Sequence, residues 1–213
     1  MLQLLAQQQY AIFLLILIAL TVSLSFHEYG HAIVAKFFGD NTAQQAGRLT
    51  LNPAAHIDPM GLLMVIVIGF GYAKPVPTNP ANYSSRWGTL FVAAAGPAMN
   101  LLVAIIAINF YLTGVQAGWG LFLGQGAQFF FSYLALINLL LMLFNLIPVG
   151  PLDGHYILPY FLPRRLARPY YFFNQRYGSY ALLGLVLLNL LGMPIFEKVW
   201  QTGQALLSYI IFV

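Results

Sequence analysis

Long uncharged apolar runs alternate along this chain with short stretches of proline, glycine and polar residues. The first run, residues 10–26, contains no charged side chain. About 20 apolar residues cross the hydrocarbon core of a bilayer as a helix, and the pattern carries this helix over residues 9–38. Residues 41–58 are polar and turn-rich, a loop or short hairpin. Within them, residues 43–51 alternate enough to offer a strand edge, to which an unwound peptide can pair. Residues 60–70 are apolar but too short to cross. Residues 72–86, with Lys74-Pro75-Val76-Pro77 and Asn79-Pro80, read as a rigid extended loop. Spans follow at 87–112, 126–147 and 169–192, separated by a glycine-rich uncharged stretch (113–125) and a short element (154–168). Residues 194–213 form a last helix, crossing or lying in the interface. The expected fold is an all-α polytopic membrane protein. It is a bundle of about five to six hydrophobic helices, with a short re-entrant segment or hairpin after the first, in a single domain over 1–213.

Composition agrees with this pattern. The chain is 60% hydrophobic and 7% charged, with a mean hydropathy of +0.77, whereas an ordinary soluble domain is about 25% charged. The absence of cysteine excludes disulfides and thiolate zinc sites. The first segment has no basic stretch ahead of it and does not read as a cleaved signal peptide. The net charge of +4 is accounted for by membrane topology and gives no reason to expect a nucleic-acid partner.

Against that apolar background His27, Glu28 and His31 stand out, in the segment His27-Glu28-Tyr29-Gly30-His31. Ionisable groups at membrane depth are costly and mark function. A spacing of i, i+4 puts both imidazoles on one helix face, where they can bind one Zn²⁺, and Glu28 is placed to act as general base on a water. A catalytic zinc site takes three protein ligands. The remaining acids are Asp40, Asp58, Asp153 and Glu197, and the remaining histidines His56 and His155. Asp153 is the best third ligand. It follows an apolar run ending at Ile147, where Pro148, Gly150 and Pro151 break the helix and aim a carboxylate inward. Asp58 precedes Pro59 and suits a helix N-cap. His56 suits a hydrogen-bonding role behind the ligands. A zinc role for His155 is the minority reading. Asn100 and Asn145 are candidate substrate-binding or oxyanion donors, or else satisfy backbone at broken helices.

Topology tests the third ligand independently. If residues 60–70 enter the membrane without crossing, 87–112 goes back and 126–147 returns, bringing Asp153 to the side of His31. That arrangement places Lys36, Arg48, Lys74, Arg86, Arg164, Arg165, Arg168 and Arg176 on one side, eight of the nine basic residues. Loop 113–125 carries none. The positive-inside rule makes the His31 side cytoplasmic.

Three segments together resemble the site-2 protease family of intramembrane zinc metalloproteases. They are His27-Glu28-Tyr29-Gly30-His31, Gly96-Pro97-Ala98-Met99-Asn100, and Asn145-Leu146-Ile147-Pro148 leading to Leu152-Asp153-Gly154. The resemblance implies one zinc held by His27, His31 and Asp153, with Glu28 as catalytic acid and base. It also implies a transmembrane segment of a membrane-protein substrate as partner, within the bilayer of a prokaryotic cell. The Asn52–Pro59 loop resembles the compact prokaryotic branch without PDZ or CBS domains. Two other functions use the same residue types: a metal-ion transporter and an inactive protease-like scaffold. A transporter calls for paired broken helices in two halves, and here there is one. A scaffold has no need of Glu28.

Overall fold

Helix α2 (Tyr10–Phe37) runs unbroken for 28 residues, about 42 Å at 1.5 Å per residue. It follows a single turn, α1 (Leu2–Ala6). The computed structural model describes every residue except Phe70. After α2 come α3 (Thr42–Gln45), α4 (Pro59–Ile68), α5 (Gly88–Gln116), α6 (Gln125–Asn145), α7 (Gly154–Ile157), α8 (Arg164–Leu190) and α9 (Glu197–Tyr209). Among the described residues there is no strand, and the protein is all-α. Three described helices, α2, α5 and α6, are long and apolar enough to cross a membrane.

Helix α5 is the central one. Of its most apolar stretch 56% is buried inside the bundle, against 22% for α2 and for α6. The core between them is Ala19, Val103, Ala104, Ala107, Ile108, Tyr111, Leu134, Ala135 and Leu139, joined by Phe122 and Ile210. Small residues permit this approach. A Cβ added at Gly30 on α2 would sit 2.7 Å from the carbonyl oxygen of Ala95 on α5.

Helix α4 has ten residues, about 15 Å, so it is too short to cross, as the pattern predicts; Phe70, the end of the expected segment, lies outside the described residues. Asp58 caps it, accepting from the N–H groups of Met60 and Gly61 at 2.9 Å each, with Pro59 in the first turn. This is the structural role the dipeptide suggests.

Two expectations are corrected. Residues 43–51 form no strand edge. Asp40 takes the N–H of Thr42 at 3.1 Å, and Thr42-Ala43-Gln44-Gln45 coils into α3. Alanine and glutamine favour helix over strand. Residues 169–192 are not a separate span. Helix α8 starts five residues earlier, at Arg164, because the three arginines and Leu166 and Ala167 form helix readily and Pro169 falls near its start, where proline is tolerated. Its arginine-rich N-terminal half keeps α8 out of the set apolar enough to cross.

Candidate metal centre

The late turns of α2 meet the early turns of α5. His31 Nδ1–H donates to the carbonyl oxygen of Val92 at 2.7 Å, and His27 Nδ1–H donates to Asn100 Oδ1 at 2.7 Å. Moving back along α2 moves forward along α5, so the two helices are antiparallel. Gly96 lies between these contacts. A Cβ there would come within 2.6 Å of His27 Cε1 and clash with the His31 ring. Only glycine lets α5 lie against both imidazoles.

The tautomer of His27 is set by a chain of amides that ends in main-chain carbonyls, which only accept. Asn138 on α6 donates through Nδ2 to the Leu134 carbonyl at 2.8 Å and to Ser23 Oγ at 2.7 Å. Ser23 Oγ donates onward to the Ala19 carbonyl. Asn138 Oδ1 therefore faces Asn100, whose Nδ2 donates to it at 2.8 Å and to the Ser23 carbonyl at 3.2 Å. Asn100 Oδ1 is left to accept from His27. Ser23, Asn100 and Asn138 are fully buried, and each amide hydrogen and oxygen in the chain is matched, as burial demands.

With both Nδ1 atoms protonated, both Nε2 atoms carry lone pairs. These face each other at 3.0 Å. Asp153 brings its carboxylate to the same point, Oδ2 3.3 Å from His27 Nε2 and Oδ1 3.4 Å from His31 Nε2. Asp153 Oδ2 is buried without a hydrogen-bond donor. Three electron-pair donors converging on one point repel one another unless a proton or a metal cation sits among them. The donor set, two nitrogens and a carboxylate oxygen within 4.8 Å of one another, is one that zinc takes.

The backbone around Asp153 explains its position. A Cβ on Gly154 would lie 2.6 Å from the carbonyl oxygen of Ile147, so the turn folds tightly under the end of α6. Helix α8 holds the loop from the other side. Asn174 Oδ1 accepts from the Gly150 N–H at 2.9 Å, and Tyr170 Oη donates to the Pro148 carbonyl at 2.7 Å.

The structure separates the remaining candidates. Glu28 is buried beside the two histidines, and its Oε2 accepts from the Val76 N–H at 2.8 Å. Asn100 lies behind His27, with both amide hydrogens committed. Asn145 donates to the Leu141 carbonyl of its own helix at 2.9 Å. His56 is buried away from the metal-capable atoms, its Nε2–H donating to the Thr50 carbonyl at 2.8 Å. His155 packs on Tyr171 with ring centroids 5.6 Å apart, and burial pushes its imidazole below the ordinary histidine range. Sequence reasoning missed Ser23, Asn138 and Val76. Asn138 is an isolated polar residue in an apolar run and Ser23 is one of three closely spaced hydroxyl residues, Thr21, Ser23 and Ser25, in another; polar side chains in such runs pair across helices, and that is their one sequence signal. The Val76 contribution is main-chain and leaves none.

Two helix-borne imidazoles, a loop carboxylate and a neighbouring glutamate, set in helices of membrane length, define a metalloprotease. The chain belongs to peptidase family M50, the site-2 protease family, whose model matches residues 15–118 and 114–189. It is 42% identical over 153 residues to a Bacillus subtilis protein named "Putative zinc metalloprotease YwhC", covering 70% of this chain and 69% of that one. It is 31% identical over 155 residues to "Putative zinc metalloprotease Rip2" of Mycolicibacterium smegmatis, and 32% to its Mycobacterium tuberculosis namesake. Those two alignments cover 68% of this chain and 56% of the relatives. No solved structure matches the chain.

Proposed function

We propose that this protein is a zinc-dependent endopeptidase that cuts a transmembrane segment of a membrane-protein substrate within the bilayer. The convergence of His27 Nε2, His31 Nε2 and Asp153 on one point beside Glu28, late in an apolar helix of membrane length, carries this reading. The zinc metalloprotease names of the relatives support it. His27, His31 and Asp153 would hold a zinc ion, which would supply a Lewis acid for the peptide carbonyl and make water more acidic. Glu28 is the group that would take a proton from the attacking water and deliver it to the leaving amide nitrogen. Asn100 keeps the His27 lone pair aimed at the centre, and the Val92 carbonyl does the same for His31. The apolar flanks of α2 and α5 limit bulk water.

The path of the chain supports a centre whose parts meet from one side of the membrane. Helix α4 enters without crossing, α5 goes back and α6 returns, which puts residue 153 and the end of α2 on one side. The arginines there make that side cytoplasmic. The test is cleavage of a transmembrane model substrate by purified protein. Glu28→Gln keeps both imidazoles and the zinc, and lowers cleavage roughly 10²-fold or more. Cleavage by Glu28→Gln at the wild-type rate overturns the reading, as does a wild-type protein that cuts nothing yet moves zinc across vesicle membranes.

A further inference from the structure

Glu28 has one partner that belongs to neither the metal centre nor its own helix, the N–H of Val76. Val76 lies between Pro75 and Pro77. Proline has no N–H, and it holds itself and the residue before it extended. Over residues 75–77 the chain therefore has a single main-chain donor, and that donor points at Glu28.

The extended segment is pinned on both sides of this donor. Before it, the Lys74 N–H donates to the His56 carbonyl at 2.8 Å. The Arg48 guanidinium donates to the carbonyls of Lys74 at 2.5 Å and Pro75 at 3.3 Å. Arg48 is 7% exposed, and no carboxylate of the described residues lies within ion-pair reach of it. A buried cation without a counter-charge is costly; here its charge is met by carbonyls of the segment that carries Val76. Arg48 Nη2 also lies 3.5 Å from His56 Nδ1, so His56 buttresses the arginine. After the donor, Asp40 Oδ2 accepts from the Asn79 N–H at 2.7 Å and Oδ1 from Asn82 Nδ2 at 2.9 Å. Two buried charges of opposite sign thus hold the segment, one on each side of Val76, and neither touches the metal-capable atoms. A glutamate has three rotatable bonds, and a general base must be held within hydrogen-bond reach of the proton it takes.

We propose that the Val76 N–H is a positioning group for the reaction. It holds one oxygen of Glu28 and leaves the other for the water, while Arg48 and His56 set where that N–H stands. The proposal rests on the function proposed above. It assigns the buried His56 an indirect part in the chemistry, through Glu28.

Two experiments test it. In the first, backbone hydrogen exchange is followed residue by residue on metal-free protein. The Val76 amide is protected in the wild type and exchanges faster in Glu28→Ala, while the Lys74 amide, bonded to His56, keeps its protection. Equal Val76 exchange in the two proteins overturns the proposal. In the second, the Val76 peptide nitrogen is replaced by an ester oxygen, which removes the donor and keeps the side chain. Val76→Pro removes it within a run of three prolines, and Val76→Ala retains it. The ester and Val76→Pro proteins bind zinc as the wild type does, and lose kcat roughly 10-fold or more with KM little changed, the scale of a hydrogen bond to a charged group. Val76→Ala stays far closer to the wild type. An ester protein with wild-type kcat overturns the proposal; one that cuts faster shows the segment to be an inhibitory strap instead. If Glu28→Gln is inactive while the ester protein is fully active, only the positioning role falls. If Glu28→Gln is fully active, the proposed function falls and takes the positioning role with it.

Discussion

Asn138 touches no metal-capable atom, yet the direction of every hydrogen bond leading to His27 depends on it. Replacing it with leucine leaves an Asn100 hydrogen without an acceptor and frees that amide to turn over. Zinc affinity of Asn138→Leu is expected to fall about 10–100-fold, the range for losing such outer partners, with competition against a chelator as the measurement. Gly96→Ala acts more directly. Its methyl group occupies the space of both imidazole rings, so purified Gly96→Ala is expected to carry well under one zinc per chain while the helices persist by circular dichroism. Retention of a full zinc by Gly96→Ala would mean that α5 shifts easily, against the close packing of Gly30 on Ala95. At this scale the metal-capable cluster was legible because a helix turns two histidines four apart onto one face, and because helix breakers surround Asp153. The amides behind them were not. A lone asparagine in an apolar run gives no sign of which helix it faces, and Ser23 and Asn138 are 115 residues apart.

Among the elements, the loop of residues 72–86 is tied to the end of α2 chiefly through Asp40, which is fully buried. Burial alone would raise its pKa. Hydrogen bonds from Thr42, Asn79 and Asn82 overcome that and hold the carboxyl below the ordinary aspartate range. A carboxyl lowered in the folded state contributes stability that is fully present above the unfolded pKa of about 3.9 and is lost as pH falls through the folded value. In Asp40→Ala that contribution is gone, leaving buried donors unpaired at about 1–3 kcal/mol. Thermal unfolding in detergent is expected to show a lower Tm for Asp40→Ala near neutral pH, with the gap from wild type closing in acid. A gap that stays constant down to the lowest pH would remove Asp40 as the tie. The sequence showed this loop to be extended, since its prolines permit little else. It gave no sign of what the loop rests on, because the contacts run to a buried arginine and aspartate far away in sequence. Residues 43–51 misled for a related reason: their alternation is local, and the turn in which Asp40 accepts from the Thr42 N–H, leading into α3, is equally local but outweighs it.

For the molecule as a whole, the proposed topology makes a claim about sides. Single cysteines in place of Asn41 and Ser84, in a chain that otherwise has none, are expected to react with an impermeant reagent from the same face, the cytoplasmic one. Labelling from opposite faces would require α4 to cross, and its ten residues are half of what crossing takes. The three membrane-length helices were legible as unbroken apolar runs. Helix α8 was less so, because its arginines and apolar residues mix within one helix and the eye divides them at Pro169.

The centre draws on two distant parts of the chain, His27 and His31 from α2 and Asp153 from beyond α6. During synthesis these parts do not appear together. At roughly 5–20 residues per second, the aspartate leaves the ribosome on the order of ten seconds after the histidines. For that interval the newborn chain holds two of the three metal-capable side chains. A metalloprotease of this design is thus made without a complete metal centre until α6 and the turn after it have been synthesised.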